Sequence, residues 1–490
     1  MYIGVDLGTS GIKIVLTNSS GQIVDTSSSH YEVSRPQALW SEQNPQDWWT
    51  GFCSAMDNLS SKHDLSGVVA VGLSGQMHGA TLLDADNHII RPAILWNDGR
   101  CEAQCKEIER LVPDSRAITG NIMMPGFTAP KLLWLKQHEP ANFAKVAKVL
   151  LPKDYLRFLL SGDFASDMSD AAGTMWLDVN TRTWHSGLLA ACGLTESHMP
   201  SLYEGSQITG TLKEDIAKRW GMNAVPLIAG GGDNAAGAVG VGIVKPGQAM
   251  LSLGTSGVYF AVTDGFTANP ESAVHSFCHA LPGTWHLMSV ILSAASCLQW
   301  FADNIAKRPV QDLLDELDNS EIQLENCPIF LPYLSGERTP HNNPFATGSF
   351  YGLNHSTAQV NLTYSVLEGV SFAFADGVEV LHAAGAQADE ITLIGGGAKS
   401  HYWRQLLADV LQRPVNYRKG GDVGPGLGAA RLAQLATDST LTLEQICPQP
   451  ELETVFEPNV GRAVLLQKRR KTFQKLYAQL APLMNECPAL

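Results

Sequence analysis

Two carboxylates and two copies of one pentapeptide carry the chemistry this sequence could perform. Asp6 stands directly ahead of Leu7-Gly8-Thr9-Ser10-Gly11. The same five residues return as Leu253-Gly254-Thr255-Ser256-Gly257, with Ser252 in the place of the acid. Each copy lies between an apolar run and a β-branched or aromatic run, so each reads as two antiparallel strands joined by a tight turn. The glycines admit φ > 0 and let a ligand approach the backbone. The Thr and Ser hydroxyls, with exposed N–H groups, suit phosphate oxygens. An identical pentapeptide in matching context points to duplication. Two related halves would face one phosphate-bearing ligand, with a metal handled by the first half.

The second carboxylate, Asp233, follows a buried strand and Gly230-Gly231-Gly232, and precedes Asn234 and a run of small residues. Helix capping alone would explain an Asp here. The open backbone ahead of it points instead to a general base beside a phosphoryl acceptor. Ile391–Ala398 echoes the strand and its glycines (Gly395-Gly396-Gly397) without the acid, Ala398 standing where Asp233 would be. Ser400 and a helix follow, a place for a nucleotide to lie on bare backbone. Met77 and His78 lie between glycines just past the strand Val68–Leu73, where an α/β layer meets its ligands. His78 reads equally as a structural or a ligand-facing histidine. Trp96 reads as core rather than as a platform for a sugar face.

Stepping outward, Asn44-Pro45 starts a helix, Gly126–Leu135 a second capped one, and Asn361–Leu381 spans a long third. Trp403, Leu406, Leu407, Val410 and Leu411 share one face of a fourth. Leu334–Pro344 is a polar loop rich in turn formers, and Val244–Gln248 a hinge between halves. Lys468-Arg469-Arg470-Lys471 reads as a solvated face of a last helix ending before Pro482.

With 490 residues, 44% of them hydrophobic, the chain reads as a soluble protein of two domains of about 240 residues each. A net charge of -14 lacks the basic footprint of a nucleic-acid partner. It would repel a free triphosphate, which would arrive with Mg²⁺. The nine cysteines are scattered and odd in number, and read as reduced cytosolic thiols. Neither a signal peptide nor a membrane-spanning run is expected, which places the protein in the cytoplasm.

Over nearly its whole length the sequence resembles the FGGY carbohydrate kinases of the actin-like ATPase superfamily. Asp6–Gly11 is similar to the family's first phosphate turn. Gly126–Leu135, with Lys131 and Trp134, is similar to one of its signatures. Gly348–Leu353, Asn361-Leu362 and Ser365–Glu368 are similar to the other. Ser74–Gly79 and Leu95–Arg100 resemble members that act on D-xylulose, whereas glycerol-specific members carry Arg-Glu where this chain has Met77-His78. The resemblance implies an α/β fold of two duplicated actin-like ATPase (ribonuclease H-like) domains, each a five-stranded mixed sheet, with the active-site cleft between them. Residues 1–245 would bind sugar and metal, and residues 246–490 the nucleotide. It implies phosphorylation of D-xylulose at its terminal hydroxyl, with ATP and Mg²⁺. Asp233 then corresponds to the catalytic base, and Asp6 to a catalytic acid that organises the metal. Met77, His78, Asp233 and Asn234 correspond to sugar contacts. Gly8, Thr9, Ser10, Gly254, Thr255, Gly396, Gly397 and Ser400 correspond to nucleotide contacts. Another ketose such as ribulose, or a polyol, stays open. So does an actin-like nucleotide switch, which would leave Asp233 unexplained. The expected partner is a small sugar, with no nucleic acid and no membrane; a homodimer is left open.

Overall fold

Each Leu-Gly-Thr-Ser-Gly run forms the turn of a hairpin, and each hairpin lies at the centre of a sheet. The structure is a computed structural model that describes residues 1–419 and 424–486. In the first half, β1 (Tyr2–Leu7) and β2 (Gly11–Thr17) pair antiparallel, and β3 (Ile23–His30) adds antiparallel to β2. On the other side of β1, β4 (Ala70–Gly75) pairs parallel. Beyond it lies the antiparallel pair of β5 (Ile208–Thr211) and β6 (Pro226–Gly232), β6 running parallel to β4. The order is β5-β6-β4-β1-β2-β3. The second half repeats this with β7 (Gly247–Leu253), β8 (Gly257–Thr263), β9 (His275–Cys278), β10 (Trp285–Ile291), β11 (Ala388–Ile394), β12 (Val415–Arg418) and β13 (Leu452–Phe456), in the order β9-β10-β8-β7-β11-β12-β13. The shared unit is five strands, as expected: β3-β2-β1-β4-β6 against β10-β8-β7-β11-β12. Antiparallel edge strands extend the sheets to six and seven strands.

The register corrects one expectation. Asp6 pairs with Ser74 on β4, and Ser252 pairs with Ile394 on β11. Asp6 and Ser252 are therefore counterparts, as expected, but Gly395-Gly396-Gly397 falls at the place of Gly75-Gln76-Met77. The two triple-glycine runs are not counterparts. The strand equivalent to β6 is β12, and Ala398 matches His78 rather than Asp233. Glycine runs look alike in sequence whatever their cause; strand order separates them.

Helices close both faces. α1 (Pro45–Ser60) is capped by Asn44, whose side chain accepts from Gln46 N–H at 3.1 Å. α2 (Thr128–His138) starts after Phe127 without the side-chain cap expected of it. α3 (Asp233–Gly240) follows β6 directly. In the second half α4 (Gln359–Ala383) is buried along most of its length, and α5 (His401–Leu411) packs through Trp403, Leu406, Leu407 and Val410. α6 (Gly424–Thr437) crosses back onto the first sheet. A Cβ at Gly4 would collide with Gly426 O, and one at Gly72 with Ala429 O, so these strand glycines admit the helix backbone. Gly428 likewise lies against Ala236 of α3. α7 (Val460–Glu486) runs through Pro482 instead of ending before it. Its basic run is a solvated face only at Lys468 and Lys471: Arg469 makes two bonds to Glu368 of α4, at 2.6 and 2.7 Å, and Arg470 pairs with Asp376 at 2.5 Å.

One apolar core belongs to both halves. It joins Met77, Phe127 and Leu132 of the first to Phe260, Phe277 and Met288 of the second. The described cysteines are buried and free, as expected, while Cys487 lies outside the described residues. No helix among the described residues is long and apolar enough to cross a membrane.

Candidate active site

A cavity of about 240 Å³ opens against that shared core. Met77, His78, Asp233 and Asn234 line it from the first half, and Ser256, Val258, His275, Phe277 and Arg338 from the second. Four sequence-predicted sugar contacts thus converge on one space.

The glycines before Asp233 have specific causes. β6 slips register against β4 between Ile228 and Gly231, a bulge that redirects the strand end. Gly230 adopts φ +80°, and a Cβ there would strike Leu73 O. Gly232 faces Met77, which would meet an added Cβ at 2.9 Å. The run is therefore as much a packing requirement as an open approach. Asp233 is the first residue of α3, with Gly232 at the cap position. Its Oδ1 accepts from Asn234 N–H (2.7 Å) and Asn234 Nδ2 (2.9 Å), leaving Oδ2 without a partner. Burial raises its pKa to about 6, against the lowering effect of these two bonds. A carboxylate so placed stays ionised at neutral pH and takes a proton more readily than an ordinary Asp.

Asp6 lies near the end of β1, between Lys13 on β2 and Ser74 on β4. Burial and the charge of Asp233 raise its pKa to about 7, and Lys13 opposes them. Its Oδ1 is buried with no hydrogen-bond partner among the described residues. A buried, unpaired carboxylate oxygen beside a second carboxylate fits a hard cation, which Mg²⁺ sites commonly hold through one or two carboxylates plus phosphate oxygens. The His/Cys/Asp/Glu cluster among the described residues that is dense enough for a metal by protein ligands alone, Asp84, Asp86 and His88, sits on a largely exposed turn elsewhere.

His78 holds φ +69°, a strained setting for a non-glycine residue. Its carbonyl accepts from Lys131 Nζ (2.8 Å) and Thr128 Oγ1 (3.2 Å), which fixes that conformation. Its ring Nδ1 lies 2.8 Å from Gly173 O. A carbonyl can only accept, so Nδ1 carries the proton and Nε2 presents a lone pair. Burial, then the charge of Lys131, lower its pKa to about 3, so the ring is neutral. His78 thus lines the cavity and is structurally fixed at once.

Both pentapeptide turns are braced through side-chain and carbonyl hydrogen bonds. Thr9 Oγ1 donates to Gln76 Oε1 (3.1 Å) and accepts from Trp96 Nε1 (2.9 Å), while Gln43 Nε2 bonds Thr9 O (2.6 Å). Trp96 is 41% exposed and lines the cavity, so it is not the core residue expected. In the second turn, Gly254 O and Thr255 O accept from Ala295 and Ala294 N–H. The N–H groups of Thr9, Ser10, Thr255 and Ser256 make no hydrogen bond among the described residues. Gly8, Gly254, Gly396 and Gly397 sit at turns and strand ends outside the cavity, and Ser400 is engaged as the N-cap of α5, bonded to Trp403 N–H at 3.2 Å. Sequence reasoning missed Arg338 and His275. Arg338 lay in a loop that composition marked only as irregular, and His275 in a strand without a motif.

Family models for the FGGY family of carbohydrate kinases match residues 1–240 (N-terminal domain) and 249–437 (C-terminal domain). The chain is 59% identical over 485 residues to a xylulose kinase of Escherichia coli, covering 99% of this chain and 100% of that one. It is 53% identical, with the same coverage, to a xylulose kinase of Klebsiella pneumoniae. Its fold superposes with a TM-score of 0.94 on the crystal structure of a "xyloylose kinase" from Brucella ovis, at 45% identity over 98% of this chain and 99% of that one.

Proposed function

The chain belongs to the FGGY family of carbohydrate kinases, and from that premise we propose that it transfers the γ-phosphoryl group of ATP to D-xylulose, giving D-xylulose 5-phosphate and ADP. The observation that carries this reading is Asp233. It presents one free carboxylate oxygen to a small two-sided cavity, in a chain alike over its full length to xylulose kinases.

Phosphoryl transfer asks a protein for alignment and charge neutralisation more than for covalent work. Asp233 orients the terminal hydroxyl through Oδ2 and takes its proton late, as the new P–O bond forms. Asn234 holds the other oxygen and fixes the carboxylate plane. Met77, packed against Gly232, and the ring of Trp96 bound the apolar side of the acceptor. The two turns reach the cavity through Trp96, which bonds Thr9, and through Ser256, and their unbonded N–H groups suit phosphate oxygens. Asp6 would hold Mg²⁺, whose chemistry is to neutralise charge on the phosphate oxygens as the bond to the leaving group lengthens. Water is about as nucleophilic as a sugar hydroxyl, so apolar walls from both halves matter: they exclude it. Residues 1–245 and 246–490 remain our proposed functional halves, the second holding the nucleotide against Gly254, Thr255, Gly396, Gly397 and Ser400.

A coupled ADP-release assay across D-xylulose, D-ribulose, glycerol and no acceptor tests the reading. Turnover stimulated most by D-xylulose is expected. Preference for another acceptor would replace the substrate, and acceptor-independent turnover would return the nucleotide-switch reading.

A further inference from the structure

We propose that Arg338 is a specificity-determining residue, which donates hydrogen bonds to the ketone of the acceptor. The inference deepens the ketose reading above and rests on it.

Arg338 lines the cavity from the second half, on the loop Leu334–Pro344 whose role the sequence left unassigned. Its neighbours pin it from both sides. Glu337 Oε1 accepts from Leu292 N–H (3.0 Å) and from Arg338 N–H (2.7 Å). Thr339 Oγ1 donates to Ala273 O (2.9 Å) and accepts from Val290 N–H (3.1 Å). The backbone that carries the guanidinium is thus fixed to β10 before any ligand arrives, the preorganisation that a reading group needs.

The guanidinium itself is nearly unsatisfied. Of its five N–H donors, one makes a side-chain hydrogen bond among the described residues, to His275 Nε2 at 3.3 Å. That bond is fixed by a consistent chain of donors. Asn121 Nδ2 donates to Thr119 O (2.7 Å) and Ser276 O (2.8 Å), so its Oδ1 must accept. His275 Nδ1, 3.3 Å from that oxygen, therefore carries the ring proton, and Nε2 is left as the acceptor for Arg338. The neighbouring acid does not compensate the charge, because burial raises Glu337 to about 8. Arg338 is part-buried, and its remaining N–H donors open to the cavity, where oxygen acceptors of a ligand can take the place of water.

The position and polarity of those donors select the acceptor. Arg338 is bonded to His275, whose ring packs with Phe127 and Phe277, and both of these rings also pack with that of His78. Arg338 and His78 therefore border the same aromatic wall of the cavity. There Arg338 can only donate, whereas His78 Nε2, with its partner nitrogen bonded to Gly173, can only accept. A donor beside an acceptor matches a carbonyl next to a hydroxyl-bearing carbon, the α-hydroxyketone of a ketose. A polyol offers a hydroxyl where the guanidinium wants a pure acceptor.

The test compares D-xylulose with xylitol, its ketone-reduced counterpart, and with D-gluconate, in wild type, Arg338→Met and Arg338→Lys, each checked by thermal unfolding. Wild type should prefer the ketose. Arg338→Met should lower kcat/KM for D-xylulose about ten- to a hundredfold, mainly through KM, as expected for a lost bond to a charged donor. Xylitol should change by less than about threefold, so that the ketose preference collapses, and Arg338→Lys should recover part of it. If Arg338→Met does not fold, the Lys variant must still lower the ketose-to-polyol ratio. Equal loss on both acceptors, or an unchanged ratio in folded variants, overturns the inference while leaving the substrate intact. A wild type that prefers D-gluconate overturns it by making the site a carboxylate one. A wild type that ignores D-xylulose refutes the ketose reading first, and this one with it.

Discussion

Replacing Asp233 by Asn should make the protein more stable and nearly inactive, with a stability gain that depends on pH. Burial raises the Asp233 carboxyl from 3.8 to about 6 in the folded chain. The sign follows from proton counting. Below about pH 4 the group is protonated in both states and costs nothing. Between about pH 4 and 6 the unfolded chain loses the proton while the folded one keeps it, so folding stability falls as pH rises. Above about pH 6 both are ionised and the penalty is constant. A shift of about two units at about 1.4 kcal/mol each gives about 3 kcal/mol as an upper bound. Oδ2 faces a cavity that admits water, so about half of that, about 1–2 kcal/mol, is the working expectation. Asn carries no charge and should recover it. The assay is urea unfolding followed by Trp fluorescence at pH 4.5, 6 and 8, alongside kcat for ADP release. The stability difference should be small at pH 4.5, grow to pH 6 and stay level to pH 8. kcat should fall by about 10²–10⁴ while sugar binding, measured directly, persists. An Asn variant no more stable at pH 8 than the wild type would refute the claim that desolvation holds this carboxyl up. So would a difference of the same size at every pH. A near-normal kcat would remove Asp233 from the chemistry.

Other outcomes follow from the same geometry. Because Asp233 must be ionised to accept a proton, log kcat/KM should fall by about one per pH unit below about pH 6 in the wild type, read from a buffer series at saturating Mg²⁺. Asp6→Ala should abolish most activity without rescue by excess Mg²⁺, measured by a metal titration of the ADP-release rate; full rescue would argue against a metal role. Gly232→Ala places a methyl against the side chain of Met77, so KM for the sugar should rise about tenfold or more with a smaller change in KM for ATP. Arg469→Ala strands the buried Glu368 carboxylate and should cost about 3–5 kcal/mol in urea unfolding, whereas Lys468→Ala should change little.

Much of this was readable from residue order because strand-turn chemistry is local. The paired pentapeptides announced two hairpins, and Asp6 facing Ser252 announced their asymmetry. Asn44-Pro45 announced α1 by its cap and its first-turn proline. What failed was whatever tertiary partners decide. Trp96 read as core because aromatic residues usually are; its Nε1–H bond to Thr9 holds it at the cavity instead. The basic run on α7 read as solvated because charge runs usually are. Glu368 and Asp376, about a hundred residues earlier on α4, turn two of its four charges inward. Arg338 was invisible because a guanidinium announces nothing until its missing partners can be counted.

The corrected correspondence between halves sharpens what duplication accomplished. Gly75-Gln76-Met77-His78 and Gly395-Gly396-Gly397-Ala398 occupy one structural place, the exit of the strand parallel to the hairpin. In the first half that exit carries Gln76, which braces Thr9, then Met77 and His78, which line the sugar cavity. In the second half the same exit is bare. A Cβ at Gly396 would meet nothing within 4 Å among the described residues, none of which demands its lack of a side chain. Gly395 differs, since its φ of +95° and its contact with Leu253 are structural needs. Space left open without a packing reason, beside a turn with unpaired N–H groups, suits a bulky phosphate-bearing ligand such as a nucleotide. On the proposed function, one repeated exit would hold side chains that read the acceptor in one half and lack them to admit the donor in the other. Gly396→Leu separates this from mere tolerance of small residues. It should raise KM for ATP by about tenfold or more while leaving folding and direct sugar binding near wild type. An unchanged KM for ATP in that variant would show that the opening faces no nucleotide.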